Sequence, residues 1–449
     1  MMNSQLKGIS IAVAAAVAVY FVSLPFLADA HARLFAVIIL LVVLWTNEAL
    51  PLGVVSLLPI VIFPALGLLN TAQTSSNYAN GIIFLFLGGF LLSLAVEKTE
   101  LHKVIARRLL RVFPATPIGA ICALGATAGA LSSVLSNTTT ALLLMPLAHF
   151  LASDMRLKMR LALSIAFGAS IGGLITPIGT PPNLIFMGFL QANSLNAPSF
   201  VKWIAVMSPL VFSMLIANSL MLSIGVGKMK LAYSLSDYAP MSKEQKKLGA
   251  IILALAALLF FNSPIEPYYP GLGLDERSLI LCFGLLLFIP GIGLINWEDC
   301  RKIPYEIIFL FGAGFALANA FEATGFDRAA ALAMQALLGF GTLATMIAIV
   351  GAMSLVGLVV SNTAKASISL PIVYSLCQHS SLDSELFLLV ATATASFSFI
   401  LPISTPPNAI ALSSGAVKVK DMAIYGTIIT FVGGFLTIFV AMLIWQFLL

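Results

Sequence analysis

The chain has 449 residues, 60% of them hydrophobic and only 9% charged, with a mean hydropathy of +1.05. That composition excludes a water-soluble globular fold and describes an all-α polytopic membrane protein. The net charge of +5 then bears on orientation in the bilayer and gives no reason to expect a nucleic acid partner.

The first apolar span covers residues 8–28. Ala28-Asp29-Ala30 after it resembles a signal-cleavage site, but about 20 apolar residues exceed a signal core, so residues 1–30 are read as an extra transmembrane helix. Further crossings are expected at 33–50, 53–69, 81–98, 160–190, 200–227, 247–262, 277–296, 304–322, 385–414 and 421–449, eleven in all. Residues 100–113 alternate apolar and basic faces and are expected to lie on the cytoplasmic surface, with a counterpart at 325–338 on the outer surface. Residues 228–246 form a cytoplasmic linker.

Two other apolar stretches, 116–151 and 342–378, carry a polar tripeptide at their middles: Ser136-Asn137-Thr138 and Ser361-Asn362-Thr363. Each is long enough for two half-membrane helices, and a polar break inside hydrocarbon is expensive unless it binds something. Both are read as re-entrant hairpins that return to the side they entered from.

The two tripeptides are 225 residues apart, and the same offset relates Ile-Gly-Thr-Pro-Pro-Asn at 178–183 to Ile-Ser-Thr-Pro-Pro-Asn at 403–408. It also relates Phe84-Leu85-Phe86 and Phe90 to Phe309-Leu310-Phe311 and Phe315, and Glu97 and Thr99 to Glu322 and Thr324. The chain therefore reads as two homologous halves, 31–227 and 247–449. With a cytoplasmic N-terminus and re-entrant hairpins, 18 of the 23 Lys and Arg residues fall on the cytoplasmic side. Five crossings per half make the halves inverted and put the C-terminus outside, in a bacterial inner membrane.

Free amides at a half-helix N-terminus attract anions, while unwound carbonyls can coordinate a cation such as Na+. The Thr-Pro-Pro-Asn segments add a second kind of break in each half, since proline lacks an amide proton. Two hairpin tips and two broken helices around a pseudo-twofold axis would form one polar site near the membrane midplane. Other classes fare worse. No HExxH or CxxC motif occurs, which argues against an enzyme. The four cysteines and four histidines show no ligand spacing. A channel would call for a continuous pore with rings of charge.

The paired Ser-Asn-Thr motifs, each followed by a Thr-Pro break, resemble the divalent anion/sodium symporter family of di- and tricarboxylate carriers over residues 31–449. That resemblance implies scaffold and transport domains, a homodimer in the lipid bilayer, and an elevator-type movement of a succinate- or malate-like dianion. It implies substrate contacts at Ser136, Asn137, Thr138, Ser361, Asn362 and Thr363, beside Thr180-Pro181 and Thr405-Pro406. It implies a first sodium site at Ser132, Ser136, Asn137 and Gly179. The second sodium site departs from the family pattern. Its candidates are Val360, Asn362 and Ser404, but Gly357 stands where a hydroxyl ligand is expected.

Lys365 stands where the first half has the neutral Thr140. An ammonium there could replace the charge of a sodium ion or pair with a substrate carboxylate; the other reading has the side chain snorkel to the outer interface. Na+-coupled symport and Na+-independent exchange therefore both stay open.

Overall fold

The structure, a computed structural model, describes residues 2–47, 49–232, 240–264, 268–326, 341–358, 360–378, 380 and 382–448. The expected outer amphipathic segment at 325–338 falls almost wholly outside the described residues. The rest is helical: α1 (Met2–Ser23), α2 (Asp29–Asn47), α3 (Leu52–Ala65), α4 (Thr71–Ser76), α5 (Gly81–Lys98), α6 (Leu101–Val112), α7 (Pro117–Ser132), α8 (Asn137–Leu151), α9 (Met155–Gly172) and α10 (Pro181–Ala192). Then follow α11 (Phe200–Ser223), α12 (Lys243–Asn262), α13 (Glu276–Leu286), α14 (Tyr305–Thr324), α15 (Gly341–Val356), α16 (Asn362–Gln378), α17 (Ser384–Ala395), α18 (Pro406–Ser413) and α19 (Val419–Val440).

Among the described residues six helical segments are long and apolar enough to cross a membrane: Gln5–Ser23, Thr71–Lys98, Met155–Ile175, Phe200–Ser223, Tyr305–Thr324 and Val419–Leu448. Two expected spans are shorter than the hydropathy suggested. The one at 277–296 stops at Leu286, because Pro290, Gly291 (φ 93°) and Gly293 (φ 50°) turn the chain so that Leu294 N–H reaches back to Leu287. The one at 53–69 stops at Ala65, with Pro59 and Pro64 inside the helix and Gly67 at φ 66°.

The stretch 116–151 is a helix–turn–helix, α7 and α8 joined at 133–136, and 342–378 repeats it as α15 and α16. The spans at 160–190 and 385–414 are each two helices separated by extended chain, α9/α10 and α17/α18. Hydrogen-bonding side chains start many of these helices: Thr116, Ser136, Asp154, Ser199, Ser242, Asp275 and Asp383 each accept from a backbone N–H in the first turn.

Helix pairings recur under the 225-residue shift. α3 packs on α14 and α13 packs on α5; α11 packs on α7 and α9, as α19 does on α15 and α17. Phe86 and Phe311, mates by the same shift, stack on each other with ring centroids 4.1 Å apart. The pairings also cross between halves: α10 lies on α16, and α18 lies on α8.

Small residues set the closest approach. A Cβ added to Gly172 would meet the Gly129 Cα at 2.1 Å, and one added to Gly168 would meet the Gly125 carbonyl oxygen at 2.7 Å. Two glycines four residues apart on each of α7 and α9 thus let the backbones touch, the means by which membrane helices associate where lipid removes the hydrophobic drive. The outward faces are apolar, with Phe212, Ile216 and Leu220 on α11 and Phe431, Phe435 and Phe439 on α19 exposed.

Candidate functional site

In the first half the site grows from three local features. α7 ends at Ser132, whose hydroxyl donates to Asn137 Oδ1 at 2.5 Å. Ser136 is extended (φ −65°, ψ 148°) and caps α8, its Oγ accepting from Thr139 N–H at 3.0 Å. Asn137 and Thr138, both half-buried, follow in the first turn.

The break between α9 and α10 faces this turn. After a 3-10 turn at Gly173–Ile175 the chain is extended at Thr176 and again at Thr180 (φ −147°, ψ 146°), and Pro181 opens α10 at a position where a missing N–H costs nothing. Asn183 holds the break in shape, its Nδ2 donating to the carbonyls of Gly173 (3.0 Å) and Thr176 (2.8 Å). Thr176 Oγ1 donates across to the Ser133 carbonyl at 2.5 Å, tying the break to the hairpin turn.

The two pieces meet at Gly173. A Cβ there would lie 2.7 Å from Asn137 Oδ1 and 3.1 Å from the Gly179 carbonyl oxygen. Ser132 Oγ, Asn137 Oδ1 and the Gly179 carbonyl are therefore gathered around one glycine. Neutral oxygens from a hydroxyl, an amide and a backbone carbonyl form the donor set a hard monovalent cation takes.

The second half builds the same frame with different contents. Ser361 Oγ accepts from Ala364 N–H (3.3 Å) at the start of α16, as Ser136 does at α8. Asn408 Nδ2 donates to the carbonyls of Ser398 (2.9 Å) and Leu401 (3.1 Å), the bonds of Asn183 moved by 225 residues. Thr405 is extended like Thr180, and Pro406 opens α18 as Pro181 opens α10. Ser404 Oγ donates to the Leu358 carbonyl at 3.4 Å, so this break too is tied to its hairpin turn. Asn362 Nδ2 reaches the Ser396 carbonyl at 3.4 Å; Thr363 and Val360 are buried beside it.

The difference is Lys365, which is 1% exposed. Its Nζ donates to Ser398 Oγ (3.1 Å) and the Thr394 carbonyl (3.3 Å), so it points into the break and does not snorkel. A Cβ at Gly357 would stand 2.5 Å from that Nζ. No ion pair involving Lys365 exists among the described residues. Asn362 Oδ1, Asn408 Oδ1, Asn183 Oδ1, Ser396 Oγ and Thr140 Oγ1 are buried without a hydrogen-bond partner among the described residues, so the site holds unspent acceptors.

Sequence reasoning did not assign roles to Ser398, Thr394, Gly173, Asn183 or Asn408. The asparagines were within reach of it, since both end the repeated Thr-Pro-Pro-Asn motif. At the end of α5, Lys98 donates to Asp299, in the turn at 297–302, at 2.6 Å and thereby holds that carboxyl below the usual carboxylate range.

Apolar helices broken at polar, capped turns, with buried side-chain oxygens left unpartnered there among the described residues, define a membrane transporter. The family of citrate transporters, whose model matches residues 38–393, includes this chain, and with it the chain belongs to the divalent anion/sodium symporters. It is similar to the sodium-dependent dicarboxylate transporter SdcS of Staphylococcus aureus, at 29% identity in strain NCTC 8325 and 30% in strain MRSA252, over 88% of this chain and 82% of the relative. Among solved structures it shares its fold with the YdaH transporter of Alcanivorax borkumensis, with a TM-score of 0.59 at 14% identity, over 83% of this chain and 88% of that one.

Proposed function

We propose that this protein carries small dicarboxylate dianions of the succinate and malate type across a bacterial inner membrane. The observation that carries this reading is the convergence of Ser132 Oγ, Asn137 Oδ1 and the Gly179 carbonyl at Gly173, beside the capped Ser-Asn-Thr turn. Na+ would sit among those oxygens with Ser136, and the substrate carboxylates would take the turn amides and hydroxyls of Ser136, Asn137, Thr138, Ser361, Asn362 and Thr363, beside Thr180-Pro181 and Thr405-Pro406. The names of the relatives, sodium-dependent dicarboxylate and citrate transporters, agree with that substrate class.

In this reading 116–151 and 342–378 are re-entrant hairpins within inverted halves, 31–227 and 247–449, with the N-terminus cytoplasmic. The recurrence of helix pairings under the 225-residue shift supports the repeat. The hairpins, α9–α11 and α17–α19 form a transport domain that moves like an elevator against α2–α5 and α12–α14, in a homodimer. Lys365 supplies a fixed positive charge in the second half, which favours exchange of one dianion for another: an empty site carrying an unneutralised ammonium is costly to move through hydrocarbon.

The test is labelled succinate uptake into proteoliposomes, with and without an inward Na+ gradient, into empty and succinate-preloaded vesicles. Uptake confined to preloaded vesicles is expected, stimulated by Na+. Loss of no more than twofold in Asn137→Ala would overturn the proposed site.

A further inference from the structure

α11 and α19 pack side by side and leave an outward groove of about 660 Å³ between them, lined by Ile216, Ala217, Leu220, Phe431, Val432 and Phe435. The lining residues recur every three or four positions, so they form one stripe on each helix. Continued by a turn, the stripe of α11 reaches Ser223 and Ile224, and that of α19 reaches Ile428 and Tyr425. Arg160 of α9 bridges these two ends. Its guanidinium lies 4.1 Å over the Tyr425 ring and donates to the Ile224 carbonyl at 3.4 Å. From Ser213 to Ser223 the groove side of α11 runs about 15 Å, half the roughly 30 Å thickness of a bilayer's hydrocarbon core.

The protein itself serves this guanidinium poorly. The bond to Ile224 is long, and Arg160 Nη1 and Ser223 Oγ are both buried without a hydrogen-bond partner. Among the described residues Arg160 forms no ion pair. Asp154, at the start of the same helix, spends its carboxylate on the amides of Arg156 and Leu157, and Asp421, one turn before Tyr425, forms no ion pair either. The Arg160 side chain is only half-buried, so part of it stays accessible. We propose that α9, α11 and α19 form a binding site for one anionic phospholipid, its phosphate on Arg160 and an acyl chain in the groove between α11 and α19. A planar guanidinium fork suits a phosphate, and the groove has the length of a single leaflet. Lys228 and Lys230 beyond α11 and Lys418 and Lys420 at the start of α19 are exposed, and their field favours a headgroup of net negative charge over a zwitterionic one. The site requires only that the chain lie in a bilayer; it does not depend on the substrate or on the coupling ion.

The experiment measures thermal stabilisation of the purified, delipidated full-length protein by phosphatidylglycerol, compared with phosphatidylcholine and with glycerol 3-phosphate. Phosphatidylglycerol is expected to act at a concentration about tenfold lower than phosphatidylcholine, the effect of one charge-assisted contact. Glycerol 3-phosphate, which has the phosphate without the chain, is expected to give no shift. Equal potency of the two lipids, or an equal shift with glycerol 3-phosphate, overturns the inference. Arg160→Gln is expected to reduce phosphatidylglycerol to the potency of phosphatidylcholine, whereas Lys230→Gln, an exposed charge beyond the same end of α11, should leave the preference in place. Equal loss in both variants would show a diffuse charge effect and overturn the site. Ala217→Phe fills the groove with Arg160 intact and is expected to abolish the preference; a preference that survives it also overturns the inference. Should these variants not fold, native mass spectrometry of the wild type decides. Retention of phosphatidylglycerol from an equal mixture with phosphatidylcholine is expected, and equal retention of the two overturns the inference.

Discussion

Asn183 and Asn408 show how much of the candidate site depends on side chains that hold the backbone in shape. Each donates two hydrogen bonds to carbonyls of a break in the middle of the apolar core, and each is fully buried. Asn183→Leu leaves two buried carbonyls without a donor at a cost of about 1–3 kcal/mol each, so a large loss of thermal stability is expected, with transport falling in the same variant. Retained stability would mean the break is held by other contacts, and differential scanning fluorimetry decides. What the sequence offered at this scale was identity by offset: Ser132, Asn137, Gly179 and Lys365 could all be picked out. It could not offer reach. That the Lys365 ammonium lies 3.1 Å from Ser398, thirty-three residues on, follows from how α16 packs against α17, and no local pattern encodes that.

Between elements, the contacts that position the breaks are glycine contacts. Gly129 and Gly172 touch backbone to backbone, so Gly172→Leu should push α9 from α7 and part the Gly179 carbonyl from Asn137, abolishing the Na+ response, whereas Gly249→Leu, with open space around its Cβ, should be tolerated. At the end of α5, the Lys98–Asp299 ion pair ties that helix to the turn at 297–302. The Asp299 carboxyl is depressed in the folded protein, so its contribution is present above the unfolded pKa and lost as pH falls through the folded one. Asp299→Asn is therefore expected to lower the melting temperature slightly near pH 7, with the difference from wild type vanishing in acid once the pH lies below the folded-state pKa. A difference that persists there would show that packing, not charge, is responsible. Hydropathy located most of these elements, and the extent of α5 was read at 81–98 as found. It overran at α3 and α13, where apolar residues continue past prolines and positive-φ glycines that end the helix without changing the hydropathy.

At the scale of the molecule, charge accounting separates the two modes of transport. If one Na+ accompanies a dianion and Lys365 stays with the protein, symport moves one net negative charge while exchange of dianions moves none. Symport into empty vesicles, were it to occur, would rise with an inside-positive potential set by valinomycin and K+, whereas the expected exchange should be indifferent to it. A potential-dependent exchange would argue against a fixed ammonium. The cross-packing of α10 on α16 and α18 on α8 also has a consequence for how the chain is made. α8 ends at 151 and α18 begins at 406, so at bacterial synthesis rates the first hairpin waits roughly 13–50 s in the bilayer with that flank uncovered. A ribosome that stalls in between leaves an orphaned half with that flank unfilled, the kind of product membrane quality-control proteases remove.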